Sequence, residues 1–471
     1  MLFNSLSFII FFPVVCLVYW LLPRQKMRVW FLTLASFYFY MSWKPIFGIL
    51  LIACIAITYI GGGISYWIIS KYKKAVASVV VVTNIGILVF YKYFNFLAES
   101  VTAFMQSLGL HMSVPGFDIL LPLGISFFTF KAISYIIDVY KGKMPVEKDF
   151  MTFSAYLSFF PQLIAGPIDR ATNLIPQLKR KVEFDGRLLT TGAKMMLWGY
   201  FMKVVFANRA CIYVDAIYGN LEHHNGTSVL LAAVLYSLQI YCDFAGYSLI
   251  SIGCAKAMGY NVPDNFVRPY FAVSITEFWK RWHISLTKWL TEYVYFPLGG
   301  NRCSKVRNYM NIMIVFLVSG LWHGAAWNFV IWGAMHGVIQ IIEKWIGIAK
   351  RECKSMVERI GRTVTTFILA TLAWIFFRLP NFMEGVEAVT KIFTSVGKPF
   401  AGRDAMPALE FCLLAFVFLL FKDWTDEYCP DKYKLLNNKN IVVRYFAYIG
   451  LSLIILMCGV FDDSQFIYAQ F

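Results

Sequence analysis

Long apolar runs recur along the whole chain. A helix needs about 20 apolar residues to cross the hydrocarbon core of a bilayer. Twelve runs approach or reach that length: 5–22, 28–43, 47–70, 75–95, 121–140, 188–206, 228–255, 309–322, 324–345, 362–378, 406–421 and 443–460. With 59% hydrophobic and 15% charged residues, the chain also lies outside the composition of soluble globular proteins. We therefore predict an all-α integral membrane protein that crosses the membrane several times, folded as a single polytopic domain over residues 1–471.

One further apolar run, 152–167, is interrupted by Pro161, Gly166 and Pro167. Broken backbone at membrane depth is tolerated only where protein or water satisfies its polar groups. We therefore expect this run to form a re-entrant segment rather than a full span.

Positive charge is concentrated in alternate short loops of the first half of the chain. The basic loops are 23–28, 71–74, 141–149 and 169–187. The loops between them hold little more than Lys44, Lys92 and Arg209. Because Lys and Arg accumulate on the cytoplasmic side, this pattern predicts an extracytoplasmic N-terminus in the cytoplasmic (inner) membrane. The first run lacks a basic n-region and an Ala-x-Ala cleavage site, so we expect a retained helix rather than a signal peptide.

The net charge of +16 does not by itself indicate a nucleic-acid partner. The basic residues are spread over short loops beside apolar helices instead of lying on one soluble face. This distribution favours membrane lipids with anionic headgroups as the counterpart and predicts no nucleic acid. His223 and His224 are adjacent in a loop and lack the i, i+4 placement of a helical metal pair, so we predict no metal site.

The basic, tryptophan-rich segment 275–289 has the start signal of a helix. Ser274 or Thr276 can cap it, and Glu277 lies four residues before Arg281, with which it can pair. On one continuous helix, another face would carry Trp279, His283 and Leu286. The pattern is typical of an interfacial amphipathic helix anchored among headgroups. The alternative is that the helix also lends His283 and its cations to a site for an anionic acyl donor.

A second histidine, His323, lies inside the apolar stretch 321–330. Titratable groups at membrane depth are costly and are therefore candidates for functional sites. Gly320 and Gly324 have the small-xxx-small spacing that lets another helix approach closely. A neutral imidazole can take a proton from a hydroxyl or thiol at physiological pH, as acyl transfer requires. The alternative is a core histidine hydrogen-bonded across helices, and we expect His336 to be a packing residue.

Other polar groups also lie within apolar runs. Lys131 and Asp138 are nearly aligned on one predicted helix, and Asp243 lies in the run 228–255. Intramembrane carboxylates usually face the bundle interior and find partners there. Fold scaffolding and a polar passage explain these residues equally well.

Six motifs follow one another along the first 345 residues. They are 121–128, 159–168, 239–248, 276–285, 296–302 and 320–337. In this order they resemble the membrane-bound O-acyltransferases (MBOAT), most closely the bacterial branch that acetylates alginate and other exported polysaccharides. The motif-bearing catalytic core covers about 120–345, and the last third matches only in hydropathy.

The resemblance implies a ring of tilted helices around a thin central region, where a funnel from each side meets near the family's histidine. That histidine falls on His323, and the family's second position falls on His283. The donor would enter from the cytoplasm as a thioester, either acetyl-coenzyme A or an acyl carrier protein, with no tightly bound cofactor. The implied function is O-acetylation of an exported cell-surface polysaccharide. An extracytoplasmic acyltransferase-like or esterase-like partner, or a polysaccharide assembly complex, would complete delivery.

The resemblance also suggests roles for individual residues. His323 would act as general base, with His283 orienting it or stabilising the developing oxyanion. The residues expected to bind the phosphates or the acidic carrier of the donor are Lys280, Arg281 and Lys288. The candidates for the oxyanion site or the tunnel are Trp289, Trp322, Trp327, Asn328 and Asp243.

The sequence departs from the family pattern at three places. Residues 290–293 read Leu-Thr-Glu-Tyr where Phe-Arg-Asp-Tyr is common, Lys131 stands for a Gln, and Leu249 stands for an acidic residue. Donor or partner preference can therefore differ from that of the alginate enzymes. Two alternatives stay open: transfer of D-alanine from a carrier protein toward teichoic acid, and a proton-coupled transporter. No inverted repeat is visible, which argues against the transporter.

Overall fold

The computed structural model describes residues 1–110, 113–430, 435–461 and 467. Over these residues the chain is helical and contains no strand. The helices group into two compact units, one mainly of Ser7–Thr191 and Cys254–Pro263, the other of Leu2–Leu6, Gly192–Gly253 and Asp264–Phe471. We call them the first and the second unit. The all-α fold is confirmed, and the single domain stays a prediction.

Eight α-helices of the described residues lie wholly or almost wholly in the first unit. They are α1 Leu6–Leu21, α2 Gln25–Met41, α3 Ile46–Trp67, α4 Lys73–Ser107, α5 Ile125–Tyr140, α6 Phe150–Ser158, α7 Phe160–Leu163 and α8 Ala171–Lys179. Helices α3, α4 and α5 pack on one another, and α2 packs on α6. Buried Lys131 on α5 donates to the carbonyl of Tyr156 (2.5 Å) and to Oε1 of Gln162 (3.1 Å). These contacts join α5 to the segment formed by α6 and α7.

The remaining helices lie wholly or mostly in the second unit. They are α9 Gly186–Tyr200, α10 Asn208–Tyr218, α11 Gly226–Ala257, α12 Ile275–Arg281, α13 Ile284–Leu290, α14 Lys305–His323, α15 Trp327–Trp345, α16 Met356–Arg378, α17 Phe382–Thr394, α18 Ala405–Tyr428 and α19 Ile441–Cys458. A π-helical turn, Phe201–Ala207, joins α9 to α10. A large buried apolar cluster draws on most of these helices and forms the core of this unit.

Every one of the twelve predicted runs falls on a helix. Six helices of the described residues are long and apolar enough to cross a membrane: Ile46–Trp67, Ser70–Ser107, Gly226–Ala257, Met356–Arg378, Ala405–Tyr428 and Ile441–Cys458. The apolar helix α1 is shorter, at 16 residues. The prediction of a multi-pass membrane protein is confirmed.

The interrupted run at 152–167 is broken in the structure. Helix α6 ends at Ser158, and Phe159 leaves the helical conformation with φ −46° and ψ 103°. Helix α7 is only four residues long, and the chain is irregular from there to Arg170. The predicted break is present, and its re-entrant course in a membrane stays a prediction.

Glycines bring α14 and α15 close together. A Cβ on Gly320 would lie 2.3 Å from the carbonyl oxygen of Phe329, and a Cβ on Gly333 would lie 2.3 Å from that of Phe316. A Cβ on Gly324 would enter the ring of Phe329. The close approach expected from the small-residue spacing is confirmed, and the approaching helix is the next one along the chain.

Candidate active site

The segment around His283 is built from two short helices. Ser274 caps the first, α12, because its Oγ accepts a hydrogen bond from the N–H of Glu277 at 3.0 Å, as predicted. The helix then ends at Arg281, and His283 takes the left-handed conformation with φ 42° and ψ 52°. The second helix, α13, begins at the next residue. The prediction of one continuous helix over 275–289 is therefore wrong.

Backbone pairing with an earlier irregular segment of the chain explains the break. The N–H of Ile284 donates to the carbonyl of Asn265, and the N–H of Val267 donates to the carbonyl of Arg281, each at 2.9 Å. These bonds remove backbone groups from the helical ladder at Arg281 and Ile284. Because the helix is interrupted there, Trp279 and Leu286 do not share a continuous helical face with His283.

The two predicted catalytic histidines lie near each other. The ring centroids of His283 and His323 lie 6.5 Å apart. Trp322 contacts both, with its ring centroid 5.6 Å from that of His283 and 5.0 Å from that of His323. The two histidines are 0% and 2% exposed, so both imidazoles lie inside the second unit.

Aromatic rings surround His323, the last residue of α14. Its ring centroid lies 5.0 Å from those of Trp322 and Trp332 and 5.5 Å from that of Phe377, all with edge-to-face geometry. An environment of this kind has a low dielectric constant, in which hydrogen bonds and charges act more strongly than in water. Such an environment suits a side chain that takes part in proton transfer.

Asn265 holds His283 from the other side. Its Oδ1 lies 3.1 Å from Nδ1 of His283. Burial lowers the pKa of this imidazole well below its ordinary value, so the ring is neutral at physiological pH. Asn265 was not predicted from the sequence, because it gives no local signal beyond being a polar residue just before the aromatic Phe266.

His336 lies on the far side of Trp332, the tryptophan ring that it shares with His323. It is 0% exposed, and its Nδ1 accepts a hydrogen bond from Nε1 of Trp279 at 3.3 Å. Its ring centroid lies 5.0 Å from that of Trp332 and 5.1 Å from that of Trp279. This matches the packing role expected for it.

The three predicted donor-binding cations differ in their surroundings. Lys280 and Lys288 are exposed. Arg281 forms ion pairs with Glu277 at 2.7 Å and with Glu427 at 2.9 Å, and its side chain is 18% exposed. The predicted pairing with Glu277 is confirmed. Because two carboxylates already neutralise Arg281, the structure favours a scaffolding position for it.

The five candidates for the oxyanion site or the tunnel also differ in their surroundings. Of these, Trp322 packs its ring against both histidines. Asn328 donates to the carbonyl of Leu379 at 3.0 Å, and Trp327 is 61% exposed. Trp289 is buried, with its ring centroid 5.0 Å from that of Tyr293.

The fifth candidate, Asp243, lies in a buried ion pair. Its Oδ1 is 2.5 Å from Nζ of Lys203, which lies in the π-helical turn, and the two side chains are 1% and 0% exposed. Its Oδ2 accepts from the N–H of Ile467 at 2.9 Å. Of the two explanations offered for Asp243, these contacts favour scaffolding.

A multi-pass helical membrane protein with two adjoining buried histidines is the class that the fold and this site define. The sequence profile of the membrane-bound O-acyltransferase family, MBOAT, matches residues 145–384, which contain both histidines. The chain belongs to this family and is an O-acyltransferase.

Relatives of known name agree with the family. The chain is 38% identical over 390 residues to a protein named probable alginate O-acetylase from Pseudomonas syringae, covering 81% of this chain and 73% of that protein. It is 32% identical over 422 residues to the peptidoglycan O-acetyltransferase of Helicobacter pylori, covering 83% and 79%. A shorter match, 30% over 237 residues, links it to the teichoic acid D-alanyltransferase of Bacillus subtilis, with 47% and 60% coverage.

Proposed function

We propose that this O-acyltransferase moves an acetyl group from a cytoplasmic thioester across the membrane for O-acetylation of an exported cell-surface polysaccharide. The observation that carries the proposal is the pair of buried imidazoles, with 6.5 Å between ring centroids. The names of the relatives matched over four fifths of the chain support acetyl transfer to a cell-envelope polymer.

The proposed chemistry uses His323 as general base. Its imidazole takes the proton of the acceptor hydroxyl while the hydroxyl oxygen attacks the carbonyl carbon of the thioester and forms the new C–O bond. The C–S bond then breaks, which leaves the acetyl group on the acceptor as an ester. The proton passes from the imidazolium to the departing thiolate, so that atoms and charge balance. His283 orients His323 or stabilises the oxyanion, and Trp322, which contacts both rings, can contribute its indole N–H.

Donor recognition is assigned to exposed lysines. Among the described residues, neither Lys280 nor Lys288 pairs with a carboxylate as Arg281 does, so both suit the phosphates of coenzyme A or the acidic surface of a carrier protein. The donor approaches from the cytoplasm, and the N-terminus is extracytoplasmic in the inner membrane. An extracytoplasmic partner or assembly complex selects the polymer.

D-alanyl transfer from a carrier protein is the second candidate, because the teichoic acid D-alanyltransferase match includes 47% of the chain. Acetyl transfer is favoured because the acetyltransferase matches extend over 81% and 83%. Membership of an enzyme family leaves the proton-coupled transporter without support.

The test uses the full chain in lipid nanodiscs. Radiolabelled acetyl-coenzyme A and a D-alanyl carrier protein are offered separately, with alginate oligosaccharide as the probe acceptor. We expect acetyl transfer in the wild type and a loss of about 100-fold or more in His323→Ala. The matched control is His223→Ala, an exposed histidine outside the site, which should keep its rate. Full activity of His323→Ala, or preference for the D-alanyl carrier, would overturn the proposal.

The same variants can be tested in cells. Mass spectrometry of surface glycans should find O-acetyl groups that depend on the chain and on His323. Glycans whose acetylation is the same with and without the chain would contradict the proposed acceptor class.

A further inference from the structure

Asn265 organises the turn that carries His283. It is 1% exposed, and its backbone carbonyl accepts from the N–H of Ile284. Its side-chain Oδ1 lies 3.3 Å from the backbone N and 2.9 Å from Oγ of Ser285, as well as 3.1 Å from Nδ1 of His283. Its Nδ2 donates to Oγ of Ser248 at 3.1 Å. One buried residue therefore holds His283 and the start of α13.

These contacts determine which atom of the Asn265 side-chain amide is the oxygen and which is the nitrogen. The backbone N–H of Ser285 can only donate, so the atom that faces it must be an acceptor, the oxygen. The same oxygen faces Nδ1 of His283, which must then be the donor. In a neutral imidazole the other nitrogen, Nε2, carries no proton and is an acceptor.

The backbone of His283 also has an unfavourable conformation. A left-handed conformation costs a non-glycine residue about 1 kcal/mol or more, and such residues cluster at functional sites. Only two non-glycine residues of the described chain have positive φ, His283 and Arg268, which lies three residues after Asn265. The turn is held in this conformation by the hydrogen bonds that Asn265 accepts.

We infer that Asn265 is a positioning residue of the acyl transfer reaction, which holds His283 as the Nδ1–H tautomer and leaves Nε2 as a proton acceptor. The inference rests on the proposed function and refines it. A ring in this tautomer has no Nε2–H to offer an oxyanion, so His283 serves proton transfer or the orientation of His323. Oxyanion stabilisation then belongs to other donors, such as the indole of Trp322.

Two substitutions of Asn265 distinguish a positioning role in the reaction from a role in packing alone. Asn265→Asp keeps an oxygen acceptor for Nδ1 of His283, and Ser248 can donate to the new carboxylate. Asn265→Leu keeps the approximate size and removes the acceptor. The matched control is Asn84→Leu, which removes a buried asparagine of the first unit that donates to Val80 and Thr58.

The measurement is the steady-state rate of labelled acetyl transfer from acetyl-coenzyme A to alginate oligosaccharide in nanodiscs, as a function of pH. We expect Asn265→Leu to lower kcat by 10-fold or more with little change in the donor KM. Asn265→Asp should keep more of kcat. Its carboxylate stabilises the imidazolium, so the acidic limb of its pH–rate profile should move to higher pH. Asn84→Leu should leave the pH–rate profile unchanged.

The outcomes are distinct. Equal losses in both Asn265 variants with an unmoved pH profile, or wild-type kinetics in Asn265→Leu, would overturn the positioning role. If Asn265→Leu does not fold, the pH profile of Asn265→Asp decides the question alone. An inactive wild type with either thioester would instead contradict the proposed function.

Discussion

Gly320 lies against the backbone of Phe329 so closely that an added Cβ would stand 2.3 Å from the carbonyl oxygen. The contact fixes α14 against α15 one turn before α14 ends at His323. Gly333 makes the reciprocal approach to Phe316. The position of the proposed base therefore depends on two glycines at a helix crossing.

Adding one methyl group at this crossing should damage both stability and activity. Gly320→Ala forces the helices apart, because the opposing atom is backbone and cannot rotate away, and overpacking of this kind costs about 1–3 kcal/mol. We expect a lower Tm in detergent and reduced acetyl transfer. Gly361→Ala is the matched control: it lies in α16, and outside its own stretch of helix no described atom lies within 4 Å of the added Cβ. A glycine-to-alanine change inside a helix should there be neutral or stabilising. A Gly320→Ala protein as stable and active as this control would contradict the tight crossing.

Arg281 should behave as a structural residue. Arg281→Ala removes the ion-pair partner of Glu277, whose carboxylate still accepts from the N–H of Val273, while Glu427 keeps its ion pair with Arg268. We expect a Tm several degrees lower and an unchanged donor KM in the protein that remains folded. The donor KM is measured by varying acetyl-coenzyme A at saturating acceptor. A donor KM raised many-fold at an unchanged Tm would show instead that Arg281 binds the donor.

Lys280 and Lys288 should show the opposite behaviour. Both are exposed, so replacing them with alanine should change the Tm little. If they contact the donor's phosphates, the double variant should raise the donor KM several-fold with kcat nearly constant. Added salt should reproduce part of the effect in the wild type, because exposed charges are screened. A KM equal to that of the wild type at low salt would exclude these lysines.

The ion pair of Lys203 and Asp243 should matter for folding more than for chemistry. Removal of one partner leaves an uncompensated buried charge and typically costs about 3–5 kcal/mol. Asp243→Asn should therefore lower the Tm more than the double variant Lys203→Met with Asp243→Leu, which removes both charges. Thermal unfolding in detergent measures the comparison. A double variant that is stable but has no acetyl transfer would place Asp243 in the reaction pathway instead.

Local signals predicted most of the helices. Apolar runs of membrane length are local in the sequence, as is the cap at Ser274, and both were found in the structure. The prediction of a continuous helix through His283 failed for a non-local reason, since the backbone bonds that break the helix come from Asn265 and Val267, in an earlier part of the chain. The neutralisation of Arg281 also depends on a distant residue, Glu427.

The pairing of the histidines was predicted by family resemblance, not by periodicity. Helical spacing places His283 and His323 on separate elements and gives no distance between them. The resemblance named both positions, and the structure supplies their contacts with Trp322. Asn265 could not be predicted, because its role depends on a left-handed residue that has no sequence signature.

The length of α4 has a consequence for mapping the topology of the chain. At about 1.5 Å per residue its 35 residues measure about 52 Å, against about 30 Å for the hydrocarbon core. Even tilted by about 40°, it would extend about 10 Å beyond the core. At least one end of α4 therefore stands clear of the lipid tails, and thiol reagents that cannot permeate the membrane could reach cysteines introduced at exposed Lys74 or Gln106. Labelling from one side at a time would then report which compartment each end occupies.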